Sequence, residues 1–513
     1  MRIHKRPPLI LLTAALVGLG CREPENRPAE SAHPQDVSDP TLLFDELAEI
    51  PAKPEDLPDL VPEFRLRLDP GANTIEARIE LDAPQADSLH MLFRTEWEGY
   101  PGLEERLRKI EAWSSAGGLP VEEVMDGLGP GHRRIAIEQP GHVTIAYSLV
   151  LAPRGDSRFY HRVSQLAPDG GHLLGNDVLP RIWLGRPRAG AQPATLWFTG
   201  LPANWRVATV EPRAGTGYDV REILNAVFVV GPLRSRRLNI GQRSLAAAIY
   251  GRWPVRDDRV VDAVNRIAGS LHRIAGDGWS PGRYLLGAGR VPAGVPGLST
   301  GGQVIGRSGI VYVGGTGPAE VEFQHWMYTT AHELMHWYIP TAFAFEVADP
   351  PAWFAEGFTD YMALKVLLVG NLIEPAEFLT AIGERLARYR ASLLYGHTSV
   401  SQAQESFWEE NSYRYIYDGG AVAAFLLDLG FQDRGGSLER ALRELQRQRP
   451  VGVETVTATL AAVRENDWIH DWLDTGANPD YEARFSQYGL ALTDGALISL
   501  NNWTTDALSS IKP

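Results

Sequence analysis

The chain has 513 residues, of which 44% are hydrophobic and 22% charged, and its formal net charge is −14. That length buries a sizeable core and suggests about two to four domains. The acidic balance excludes a nucleic-acid partner, because phosphate binding needs a basic face. The one cysteine, Cys21, excludes an internal disulfide and a cysteine-ligated metal site, so any metal falls to His, Asp or Glu.

The N-terminus explains that cysteine. Arg2, Lys5 and Arg6 precede an uncharged run from Leu9 to Gly20. The run is shorter than the ~20 residues a spanning helix needs, and it has the layout of a secretory signal. With Cys21 directly after Gly20, residues 1–21 resemble a bacterial lipoprotein signal. That resemblance implies lipidation of Cys21, export, and a lipid-anchored place in the bacterial cell envelope, with membrane contact only through the anchor. Arg22 after the cysteine points by the same resemblance to the outer membrane. Residues 22–45 read as a flexible tether, since residues 22–40 hold four prolines and many charges.

Residues 46–245 read as a β-rich domain. Phe64, Leu66 and Leu68 alternate with Arg65 and Arg67. After the Pro70-Gly71 turn, Ile75, Ala77, Ile79 and Leu81 alternate with charged residues, which predicts a hairpin. Val143–Leu151, Thr195–Phe198, Trp205–Val210 and Ala226–Val230 predict further strands. His90, His132, His142, His161 and His172 are scattered here and read as ordinary surface or core residues.

Asp257 is a plausible N-cap for a helix whose apolar face is Val261, Val264, Ala268, Leu271 and Ile274. Residues 281–318 are Gly-rich, with short β runs at Arg283–Leu286 and Ile310–Val313. Helices are predicted at 320–339, 352–370, 374–395, 417–431 and 437–448, and the tail after about 495 is uninformative.

His332-Glu333-Leu334-Met335-His336 lies in one of these helices. Residues four apart share a face, so both imidazoles reach one ion. Glu333 is turned about 100° away, off the coordination vector but close to a metal-bound water. With 13 histidines in 513 residues and ordinary Glu usage, this pattern arises by chance about 0.02 times. A catalytic zinc needs a third protein ligand and an open position. Glu356, separated from His336 by nineteen residues, is the candidate. Asp360, one turn later, is placed to accept a hydrogen bond from the far nitrogen of a ligand histidine.

His332-Glu333-x-x-His336 followed by Glu356-Gly357-Phe358-Thr359-Asp360-Tyr361 resembles the gluzincins, the thermolysin-like clan, and most of all the glycyl aminopeptidase family. The stretch from Tyr415 to Leu445 is also similar to that family. The resemblance implies one Zn2+ per chain and peptide or protein substrates. It implies an α+β, multidomain fold: a β-rich N-terminal domain, a thermolysin-like and mainly helical catalytic domain at 246–430, and a helical C-terminal region at 431–513. It further implies that Tyr417, in Tyr417-Asp418-Gly419-Gly420, donates to the oxyanion, although Gly419 stands where related aminopeptidases carry Lys. The expected activity is zinc-dependent peptide hydrolysis. The alternative is a catalytically inactive zinc-binding lipoprotein that recognises peptides or proteins.

One departure bears on substrate choice. The family's Gly-Gly-Leu-Glu-His segment corresponds to Gly301-Gly302-Gln303-Val304-Ile305, so no carboxylate stands at the usual amine-binding position. The anchor for a free amine is either missing or comes from elsewhere, such as Glu320 or Glu322, which leaves exo- and endopeptidase action both open.

Overall fold

Alternation of apolar and charged residues builds the first half of the chain. A computed structural model describes Gln35–Asp36 and residues 60–500, apart from 85–86, 98–99, 127, 138, 152–161, 186–190, 291–297, 347–349, 408, 464–465 and 494–495. Cys21, His161 and nearly all of the segment read as a tether lie outside the described residues. The exception is Gln35–Asp36, which pair antiparallel with Arg237 and Arg236.

The hairpin predicted around Pro70-Gly71 runs from Glu63–Asp69 to Thr74–Ala83. Its register sets Phe64 opposite Ile79, Leu66 opposite Ala77 and Leu68 opposite Ile75, so one face is wholly apolar. These two strands lie near the middle of an eight-stranded sheet that also contains Gly141–Val150 and Ala194–Thr199. Two four-stranded sheets and a short two-stranded ladder, Glu96–Trp97 with Tyr100–Pro101, accompany it, and the main apolar cluster of this half includes Phe64, Ile79, Ile145 and Phe228.

Two of the scattered histidines meet. On neighbouring strands, His90 Nδ1 lies 3.0 Å from His132 Nε2. His132 Nδ1 lies 2.9 Å from Asp126, and Ser88 Oγ lies 2.9 Å from His90 Nε2. Trp183 stacks on both rings. Burial and the neighbouring His132 lower the His90 pKa. A separation of 42 residues hides this pair from any local reading.

The second half begins on a sheet of five long strands: β1 (Arg234–Ile240), β2 (Arg243–Ile249), β3 (Gly282–Arg290), β4 (Leu298–Ile305) and β5 (Ser308–Gly315). Their spatial order is β1-β2-β3-β5-β4, which leaves β4 at the edge. The sequence reading found only fragments of β3 and β5, because glycines interrupt the pattern. These glycines mark close approaches instead. A Cβ on Gly287 would meet Ile310 at 2.6 Å, and one on Gly289 would run into the Tyr250 hydroxyl.

Helix α1 (Asp257–Ala275) crosses from β2 to β3. Arg256, not Asp257, is its N-cap; Asp257 stands in the first turn and accepts from Arg234 Nε at 2.7 Å. Next come α2 (Ala319–Met335), a π-helical turn at Trp353–Phe358 leading into α3 (Thr359–Val369), α4 (Pro375–Ala391), α5 (Glu410–Asp433) and α6 (Leu438–Arg447). Helix α5 starts seven residues before the predicted 417, because the polar Glu410, Asn411 and Ser412 carry no apolar period. Lys365 of α3 is fully buried, 2.6 Å from Asp428 of α5 and paired with Glu439 of α6. A buried cation of this kind persists only where opposite charges surround it.

The C-terminal region expected to be helical is only partly so. Helices Val453–Leu460, Ile469–Asp474 and Tyr481–Gln487 are followed by a hairpin, Leu490–Thr493 with Ala496–Ser499. The tail read as uninformative thus begins with a strand. The whole is α+β: β-rich first, then mostly helical around one large apolar cluster. Among the described residues no helix is long and apolar enough to cross a membrane.

Candidate metal centre

Helix α2 is built for its C-terminal end. Tyr328 and His332 follow at four-residue intervals and share one face, and His336 caps the helix in line with them. The chain then turns back, so the π-helical turn brings Glu356 against both histidines. Glu356 Oε2 lies 3.4 Å from His332 Nε2 and 3.6 Å from His336 Nε2. One ligand atom from each of the three lies within 4.8 Å of the others. Two imidazoles and one carboxylate are a zinc donor set that leaves a fourth position open.

The far nitrogens are occupied. His336 Nδ1 donates to the Ile339 carbonyl at 2.9 Å, and that carbonyl also accepts from Thr359 Oγ1 at 3.3 Å. His332 Nδ1 lies 3.4 Å from Asp360 Oδ1. A carbonyl or carboxylate only accepts, so both Nδ1 atoms carry protons, and both Nε2 atoms, turned towards Glu356, are the ones that would ligate a metal.

The electrostatics suit a cation. Burial alone raises the Glu356 carboxyl, but His336 and His332 overcome this and hold it well below the usual carboxylate range. Burial lowers His336, yet Glu356 and then Glu333 push it up to about 9. His332 is lowered, chiefly by burial.

Glu333 is 7% exposed and lies under the edge strand β4. A Cβ on Gly302 would fall well inside contact distance of Glu333 Cγ and 2.8 Å from Cδ. Only glycine lets the strand pass this close. Gly302→Ala is expected to displace the carboxylate and lower kcat by about 100-fold with zinc retained, as steady-state kinetics and metal analysis would measure. Unchanged kcat would mean that the carboxylate swings aside without loss.

Tyr417 of α5 stacks on His332, with ring centroids 5.6 Å apart, and its hydroxyl donates to Glu356 Oε2. Burial and then Glu356 raise its pKa far above that of an ordinary phenol. The two residues meet because α5 crosses the π-helical turn glycine on glycine. A Cβ on Gly357 would lie 2.5 Å from the Gly420 Cα, and one on Gly420 would lie 2.7 Å from the Trp353 carbonyl. Gly419 has a separate reason: a Cβ there would lie 2.5 Å from the Tyr389 ring. Tyr415 is core, donating to the Thr398 carbonyl at 2.7 Å.

Glu320 and Glu322 are not substitutes for an amine-binding carboxylate. Glu320 is bonded to Arg259 at 2.7 Å, and Glu322 lies 3.0 Å from Arg290. Both stand in the first turn of α2, and eleven helical residues put Glu322 about 16 Å from Glu333 along the axis.

Sequence reasoning missed Tyr328 and Arg385, which both contact Asp360. Tyr328 left a signal, one turn before His332 on the ligand face. Arg385 left none, because it arrives from another helix.

Residues 325–422 match the model of M61 glycyl aminopeptidase. The match covers His332, Glu333, His336, Glu356, Asp360 and Tyr417. The M61 resemblance read from the motif therefore stands, and it is that of a zinc peptidase family. No curated protein matches the chain. Among solved structures, an aminopeptidase N family protein from Idiomarina loihiensis is similar with a TM-score of 0.71 at 16% identity, over 84% of this chain and 79% of that one. A variant of the M1 zinc metallopeptidase from Deinococcus radiodurans, bound to a Tyr-Ser-Ala substrate, is similar with a TM-score of 0.50 at 15% identity, over 82% and 95%. At these identities the likeness is one of fold.

Proposed function

We propose that this chain hydrolyses peptide bonds as a zinc peptidase of the HExxH-x19-E type, with His332, His336 and Glu356 as metal ligands. The observation that carries the reading is the convergence of those three ligand atoms beside Glu333 and the Tyr417 phenol. The M61 match and a peptide-bound neighbour of the same fold support it.

Zinc, when bound, supplies a Lewis acid that acidifies water and polarises a carbonyl. The protein does the rest. Glu333, pinned under β4, takes the proton from the attacking water and passes it to the leaving amine. Tyr417 shifts its hydroxyl from Glu356 to the oxygen on which charge develops. Asp360 keeps His332 in the tautomer whose Nε2 faces the site. The edge position of β4 leaves one side of its backbone able to pair with an extended peptide. We further propose anchoring in the cell envelope through lipidated Cys21. Mass spectrometry of the mature N-terminal peptide should find Cys21 lipid-modified, and an unmodified Cys21 would refute the anchor.

The test is cleavage of matched peptides with free and acetylated N-termini by zinc-loaded protein, with Glu333→Gln as control. Cleavage of free-amine peptides alone means an aminopeptidase with its own amine anchor. Cleavage of both means an endopeptidase. A folded, zinc-bound protein that cleaves neither points to the inactive recognition reading or to a non-peptide substrate.

A further inference from the structure

We infer that Tyr328 and Arg385 are positioning residues that clamp Asp360 and thereby set how tightly the His332–His336–Glu356 site holds a zinc ion. The inference rests on the metal-centre reading above, but not on peptidase activity.

Asp360 is 6% exposed and is gripped from three directions. Arg385 Nε donates to its Oδ2 at 2.6 Å, the Tyr328 hydroxyl donates to its Oδ1, and His332 Nδ1 approaches Oδ1 at 3.4 Å. Arg385 is itself locked. One terminal nitrogen donates to the Tyr328 oxygen, the other to the Ala381 carbonyl at 3.0 Å, and the guanidinium lies 5.0 Å over the Tyr328 ring. Three helices contribute: Tyr328 and His332 come from α2, Asp360 from α3 and Arg385 from α4.

The physical consequence is directional. A carboxylate with one oxygen held by a guanidinium cannot rotate, so the other oxygen stays on His332 Nδ1. The imidazole is then fixed in ring angle and tautomer before any ion arrives. Without the clamp, that ordering must occur on binding, and affinity falls. Arginine is required because one planar group serves the carboxylate and the phenol at once; lysine offers a single point charge. Tyr328 differs from ordinary helix packing in the same way, since its hydroxyl does the work and its ring only supports it.

The experiment is competition of the metal-free full-length protein with a chromophoric chelator for zinc, comparing the parent with Tyr328→Phe, Arg385→Lys and Arg385→Gln. Thermal unfolding of each metal-free protein is recorded alongside. Zinc dissociation constants are expected to rise about 10-fold for Tyr328→Phe and towards 100-fold for Arg385→Gln, with Arg385→Lys between them. Turnover lost in Tyr328→Phe should return at saturating zinc, which a merely structural lesion would not permit. Parent-like affinities in Tyr328→Phe and Arg385→Lys would overturn the inference. Arg385→Gln strips a buried carboxylate of its partner; if it does not fold, the other two variants decide. A parent protein that binds no zinc would instead sink the metal-centre reading itself.

Discussion

Glu333→Gln is expected to lower kcat by about 10³- to 10⁴-fold while zinc binding stays near that of the parent. The amide matches the carboxylate in shape, so the close passage of Gly302 over the side chain is preserved. What is lost is the ability to take a proton from water. Glu333 sits beside the ligand set without belonging to it, so the metal content should be unchanged. Steady-state kinetics with metal analysis on the same sample makes the check. Near-normal turnover would refute a proton-transfer role for Glu333, and simultaneous loss of zinc would show that it is a ligand.

Tyr417→Phe is expected to lower kcat by about 10²- to 10³-fold with KM little changed, the usual cost of removing one oxyanion donor. The ring stack on His332 survives this substitution, so only the hydroxyl is removed. Because that hydroxyl donates to Glu356 Oε2, the same variant separates two roles. If kcat recovers when zinc is raised, the phenol serves to orient a ligand. If kcat stays low at saturating zinc, the phenol acts on the substrate.

The site was far more legible than the path that builds it. His332, Glu333 and His336 are spaced by helix geometry, which period and residue type reveal at once. Glu356 and Asp360 were readable because they share one helical run near the first. Tyr417 needed the family resemblance, since nothing local separates it from Tyr413 and Tyr415. The strands β3, β4 and β5 were blurred because their glycines answer to distant partners: Gly287 to Ile310, Gly289 to Tyr250 and Gly302 to Glu333. The π-helical turn at Trp353–Phe358 has no periodic signature of its own, yet it carries Glu356. Arg385 and the His90–His132 pair are likewise products of tertiary contact, invisible to any window along the chain.

The glycine crossing of Gly357 and Gly420 has a kinetic meaning. With backbone against backbone, the segments bearing Glu356 and Tyr417 have no side-chain layer between them to deform. They must open together or not at all, so their amides should exchange hydrogen slowly and as one cooperative unit. The other element beside Glu333 is β4, which among the described residues is an edge strand, so a movement that admits and releases substrate is expected there.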